Sequence, residues 1–262
     1  MEDVELLIVP DVHGRDFWKE PVKQYLNEKG DNAKIVFLGD YLDPYADDFN
    51  FEDDFREIAF NMFKEIIDLK AAYQKQITLL LGNHDCGYRF YPEICEVRMD
   101  RVRYNEIRKL FLDNKEFFDL AYDTHINGKH FILSHAGISK VYAEHVFKDG
   151  ITNDNVVGLF NNAYHTEDID VIATLGIYDK YRGNYFSNFA SLVWTDVRTW
   201  IDNEDTDYGY GDYNIFGHTQ LNKGYLGLIR DKYADIDCQE VFYINKLGEL
   251  KVFSELNSEK KE

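Results

Sequence analysis

Apolar residues in this chain gather into short runs that stop abruptly at polar ones. Residues 4–9, 34–38, 77–81, 129–133 and 213–216 are such runs. Compact runs of this length, rich in Val, Ile, Leu and Phe, predict strands buried on both faces. A helical period fills several intervals between them. Residues 17–28 place Phe17, Val22, Tyr25 and Leu26 on one side, with Gly30 beyond the end. A long helix is predicted from about residue 51 to 73, with Phe55, Ile58, Ala59, Met62, Ile66 and Leu69 as its apolar positions. Residues 98–118 also read as helix, and 139–165 as two short helices. Residues 241–244 and 250–253, joined through Lys246, Leu247, Gly248 and Glu249, predict a closing hairpin. Residues 41–50, with Pro44, read as an acidic loop, residues 88–91 as an irregular aromatic stretch and residues 202–212 as an acidic loop. The rest of 166–212 has no legible period. Strands separated by helices define the α/β class. With no repeat and no Pro/Gly/Ser-rich linker, one domain is expected over residues 1–256, followed by a polar, frayed tail at 257–262.

The polar residues just beyond each strand are more informative than the strands themselves. Asp11 and His13 succeed the first, Asp40 and Asp43 the second, and Asn83 and His84 the third. His135 succeeds the fourth and His218 the last. Side chains at successive strand ends converge on one rim, where open α/β sheets bind ligands. Asp40 stands after four consecutive apolar residues, 35–38, and beyond Gly39, and is expected to be a carboxylate shared by two cations. Hard oxygen donors together with imidazoles suit a pair of divalent ions that clamp a phosphoryl group. In an extended segment Asp11 and His13 would face the same way and reach one ion.

Composition narrows this reading. The 262 residues carry a net charge of −19, which argues against a general nucleic-acid-binding surface. Bound cations would offset part of that charge. No apolar run reaches the ~20 residues of a membrane span. Cys86, Cys95 and Cys238 form no disulfide framework, and the acidic start, Met1-Glu2-Asp3, lacks a basic leader region. A reduced, intracellular, cytoplasmic protein is expected. Cys86 has no evident activating base and reads as a small buried residue, and Asp85 as a loop-fixing acceptor. His125, His130, His145 and His165 lack the strand-end setting and receive no role.

Taken together, Asp-x-His-Gly at 11–14, Gly-Asp-x-x-Asp at 39–43, Gly-Asn-His-Asp at 82–85, Ser-His-Ala-Gly at 134–137 and Gly-His-Thr at 217–219 resemble the calcineurin-like metallophosphoesterases. Each motif is weak alone; five in order are not. Leu192-Val193-Trp194-Thr195-Asp196 is similar to a segment of the phosphoprotein-phosphatase branch, whose relatives include bacterial and phage serine/threonine phosphatases and diadenosine tetraphosphate hydrolases. The resemblance implies two facing mixed β-sheets flanked by helices, a four-layer sandwich. It implies Asp11, His13 and Asp40 on a first metal, and Asp40, Asn83, His135 and His218 on a second. Metal-bound hydroxide would attack phosphorus while His84, charged and oriented by Asp43, protonates the leaving oxygen. Manganese is the expected metal, with iron or zinc as alternatives. One departure stands out: the family's phosphate-gripping Arg after the second Asp of Gly-Asp-x-x-Asp is Pro44 here. Arg198, Arg15, Arg182 and Arg89 are the candidate replacements, Arg198 slightly favoured. A phosphorylated substrate is expected, of phosphomonoester type. A nucleotide hydrolase, with aromatics near Tyr88 stacking a base, is the alternative, and a non-catalytic scaffold the alternative of another class.

Overall fold

The computed structural model describes residues 1, 3–50, 54–187, 189–221 and 226–258. Two mixed sheets face each other. The first contains β1 (Val4–Val9), β2 (Ile35–Phe37), β3 (Ile77–Leu80) and β4 (Phe118–Asp119), all parallel, with the antiparallel β10 (Phe242–Asn245) and β11 (Leu250–Val252) beyond β1. The second runs β5 (Ala121–Ile126), β6 (Lys129–Ser134), β7 (Tyr213–Phe216), β9 (Tyr233–Asp235) and β8 (Leu228–Ile229), with β6, β7 and β9 parallel.

The period of two explains the layers. Along β1, Leu6 and Ile8 turn to the second sheet, where they meet Phe131, Leu133, Ile215 and Ala234 in one buried cluster with Val36, Leu38 and Leu80. Leu7 and Val9 turn the other way, into a cluster with Ile35, Phe37, Ile77 and Leu79. Helices cover that face: α1 (Lys19–Lys29) through Val22 and Tyr25, α2 (Phe55–Ala72) through Met62, Phe63 and Ile66, and α4 (Tyr104–Asp113) through Ile107 and Phe111. The same cluster continues to α5 (Lys140–Phe147), α6 (Val156–His165) and α7 (Ile169–Thr174), while α8 (Val197–Asp202) packs Trp200 on Phe216 and Tyr233. Burying each such Leu, Ile or Phe contributes roughly 1.5–3 kcal/mol, which is why central strands buried on both faces read as unbroken apolar runs.

Several expectations are corrected. Residues 98–118 are not one helix. Asp100 Oδ1 accepts from Val102 N and Arg103 N, both at 3.0 Å, which holds a turn, and the helix is confined to α4. The aromatic stretch is not irregular at its start, because Tyr88 and Arg89 end α3 (Asn83–Arg89). The second helix begins at Phe55, capped by Asp54 accepting from Glu57 N at 3.1 Å; residues 51–53 of the expected helix lie outside the described residues. At the C-terminus, helical backbone, α9 (Phe253–Ser258), covers the start of the expected tail, and residues 259–262 lie outside the described residues. Strands β4, β5, β8 and β9 and helices α7 and α8 were not expected. The closing hairpin is present, its turn held by Asn245 Oδ1 accepting from Leu247 N and Glu249 N. Among the described residues, no helix is long and apolar enough to cross a membrane.

Candidate metal centre

The parallel arrangement brings the loops after β1, β2, β3, β6 and β7 to one rim. Gly39 makes the tight turn after β2 with φ +107°, and a β-carbon there would strike the backbone of Gly82. Gly82 lets the Asp40 carboxylate approach, since a β-carbon at 82 would collide with it. Asp85 fixes the junction: its carboxylate accepts from Asp40 N at 2.6 Å, Gly82 N at 2.9 Å and Tyr41 N at 3.1 Å. Asp85 is thus the loop-fixing acceptor. Cys86 is fully buried, and burial pushes its thiol well above the ordinary range, which leaves it inert.

Asp40 Oδ2 is the centre of the arrangement. It lies 3.6 Å from His13 Nε2 and 3.5 Å from His135 Nε2. Both imidazoles are aimed by the same device. His13 Nδ1 donates to the Leu42 carbonyl at 2.7 Å, and His135 Nδ1 to the Leu38 carbonyl at 2.9 Å. A ring so anchored through Nδ1 presents Nε2 to the cluster. His135 Nε2 also faces Asn83 Oδ1 at 3.0 Å and His218 Nδ1 at 3.2 Å, and His218 Nδ1 is 3.0 Å from Asn83 Oδ1. Cys95 Sγ, 3.3 Å from Asn83 Nδ2, takes the amide's donor end and leaves its oxygen for the cluster. On the other side, Asp11, His13 and Asp40 offer ligand atoms within 4.8 Å of one another. Asp40, His135 and His218 do the same. His13 does not reach this position by strand alternation. Its φ is +45°, so the chain turns the ring back beside Asp11.

Electrostatics reflect burial. Burial lowers His13 and His218 well below the ordinary imidazole value, so both rings are neutral. Burial pushes Asp11 up to about 6, with Asp40 adding to the rise against His135. Burial would raise Asp40 too, but the neighbouring His135 and His84 outweigh it and pull it down. Lone pairs facing lone pairs repel unless a proton or a cation lies between them. With His13 and His218 neutral, the donor set fits cations: carboxylate, amide oxygen and imidazole.

Beside this cluster stands a different one. His84 Nδ1 donates to Asp43 Oδ2 at 2.8 Å, and the Tyr88 hydroxyl donates to Asp43 Oδ1 at 2.5 Å. Asp100 N in turn donates to the Tyr88 oxygen at 2.6 Å. Tyr88 is fully buried, so it can wall no cleft and stack no base. Burial works against the charged His84 ring, but Asp40 and the Asp43 hydrogen bond outweigh it and raise it well above the ordinary value. Trp194, in the segment at 192–196, stands edge-on to His218 at 5.4 Å, while Leu192 O accepts from Ala136 N beside His135.

The candidate arginines divide. Arg182 donates toward the His218 carbonyl at 3.5 Å and the Thr219 hydroxyl at 3.3 Å, and pairs with Asp196 at 2.9 Å. Arg15 is buried and pairs with Asp48 at 2.8 Å. Arg198 is held by Asp196 at 2.7 Å and lies over the Tyr181 ring. Arg89 turns to Glu167 at 2.7 Å and to the rings of Phe90 and Tyr164. Sequence reasoning misses the arginine beside His84: Arg98 Nη2 is 3.4 Å from His84 Nε2. Pro44 signals that a cation is absent from its usual place, but nothing local marks Arg98 as the replacement. Sequence reasoning likewise gives Cys95 no role beside Asn83 and Tyr88 none beside Asp43.

The family of calcineurin-like phosphoesterases matches residues 4–222 of this chain, and the chain belongs to it. It is a metal-dependent phosphoesterase. Among solved structures, the chain is similar to a cold-active protein-tyrosine phosphatase from a psychrophilic Shewanella species: 15% identity, 95% of this chain and 80% of that one, TM-score 0.45. It is also similar to a protein serine/threonine phosphatase from Saccharomyces cerevisiae: 15% identity, 92% of this chain and 73% of that one, TM-score 0.46. At that identity and score neither bears on the substrate. No curated protein matches the chain.

Proposed function

We propose that the protein is a dinuclear-metal phosphomonoesterase acting on a phosphoprotein or a small phosphorylated molecule. Asp11, His13 and Asp40 would hold one divalent cation, and Asp40, Asn83, His135 and His218 the other. The single observation that carries this reading is Asp40 Oδ2 placed between two imidazole Nε2 atoms at 3.6 and 3.5 Å. When bound, two such cations would neutralise phosphoryl oxygens and acidify water. Manganese suits the mixed oxygen and imidazole donors, with iron and zinc as alternatives.

The chain's own residues do the rest. His84 presents Nε2 to the leaving oxygen and gives it a proton, as a general acid does. Asp43 holds the ring by Nδ1 and keeps the imidazolium favourable. Tyr88 and the Asp100 amide fix Asp43, so the ring's angle is set before substrate arrives. His84 N donates to Asp40 Oδ1 at 3.0 Å, which ties the proton donor to the shared carboxylate.

Elemental analysis together with hydrolysis of a generic aryl phosphate, with and without manganese, tests the reading. Two equivalents of metal and metal-dependent turnover are expected. A panel of phosphopeptides, phosphomonoesters and nucleotides then decides the substrate class, and preference for a nucleotide removes the phosphomonoester assignment.

A further inference from the structure

We infer that Arg98 is the residue that grips the substrate's phosphoryl group, supplied from the loop between α3 and α4 in place of the cation that Pro44 cannot provide. The inference rests on the phosphoesterase reading and adds a residue that sequence spacing does not reveal.

Three contacts hold the guanidinium. Its Nε donates to the Asp43 carbonyl at 3.0 Å, the carbonyl immediately before Pro44. Its plane lies over the Tyr45 ring, with Cζ 3.6 Å from the centroid. Its Nη2 stands 3.4 Å from His84 Nε2. Arg98 therefore enters the space beside position 44 from another part of the chain. Its backbone is in the left-handed region, φ +60°, an uncommon state for a long side chain and one that concentrates at functional sites.

Asp43 accepts at His84 Nδ1, so Nε2 is the ring nitrogen left to meet substrate. An oxygen hydrogen-bonded to Nε2 is also within reach of Arg98 Nη2. A phosphoryl group presents neighbouring oxygens to such a fork, one to each donor, and a planar guanidinium suits that geometry. Arg98 is half-buried, open enough to meet a ligand, whereas Arg101 on the same loop pairs with Glu96 in solvent at 3.0 Å. A phosphoryl oxygen would complete the 3.4 Å approach of Nη2 to Nε2.

Arg98→Ala, Arg98→Lys and Arg101→Ala are compared with the parent after manganese loading, by melting temperature, metal content, aryl phosphate kinetics and inhibition by inorganic phosphate. Arg98→Ala is expected to keep the parent's metal content and melting temperature, to weaken phosphate inhibition at least about tenfold, and to lower kcat/KM by about 10²–10³-fold. Arg98→Lys should recover part of the phosphate affinity, as a point charge without the fork. Arg101→Ala should stay within about twofold of the parent throughout. An active parent whose phosphate inhibition and kcat/KM are unchanged in Arg98→Ala overturns the assignment, as does a loss shared equally by Arg101→Ala. A parent that binds no metal and hydrolyses no phosphoester overturns the proposed function instead.

Discussion

Two clusters meet at Asp40 and are built on opposite principles. On one side ligand atoms converge: Asp40 Oδ2, Asn83 Oδ1, His13 Nε2 and His135 Nε2, the last two on rings anchored to carbonyls through Nδ1. On the other side donors converge: His84 and Arg98, each held from behind by Asp43, through its carboxylate and its carbonyl respectively. The first arrangement is complete only around positive charge, the second only around an anionic oxygen. A phosphoester beside cations satisfies both, and the difference shows why one substrate class fits where either half alone would leave many open.

That contrast can be broken from each side separately. Asp40→Asn removes the shared carboxylate and is expected to lower kcat/KM by at least about 10³-fold, with metal content falling below two equivalents. Retention of both cations would end the bridging assignment. His84→Ala should cost about 10²–10⁴-fold with metal content intact, since it touches only the donor side. If hydrolysis were unchanged, the proton would have to come from elsewhere. Asp43→Asn is expected to cost about 10–100-fold. It also removes a cause that raises His84, so the acid form is lost at lower pH. The alkaline limb of the kcat profile should then move toward acid, and a limb that moved the other way would contradict the pairing. Tyr88→Phe leaves Asp43 in place but unbraced, and about a tenfold loss is expected, with the limb moving in the same direction by less.

Most residues of the carboxylate and imidazole cluster were legible in the chain, and most of the donor side's support was not. β1, β2, β3, β6 and β7 are central strands, buried throughout or nearly so, and each delivers polar residues where an apolar run stops. That coincidence of pattern and chemistry is local. β5 is an edge strand whose Tyr122, Asp123, Thr124 and His125 are half-buried or exposed, so its period is blurred, and β8 and β9 are too short to have one. α7 and α8 have six residues each, below what periodicity resolves. Arg98 is a further case. Its relation to His84 comes from a turn held by long-range contacts, and sequence spacing carries no trace of it.

His13, Asp40, Asp43, Arg98 and His218 all adopt positive φ without being glycine. The rim therefore stores conformational tension just where the two sheets are closest in purpose. Asp11, His13, Asp40 and Asn83 hang from one sheet, His135 and His218 from the other, so any ion they share is also a rivet across the sandwich. Stripping the ions should unfasten that end: amides beside Asp40 and His218 would lose hydrogen-exchange protection together, while the hairpin of β10 and β11 keeps its own.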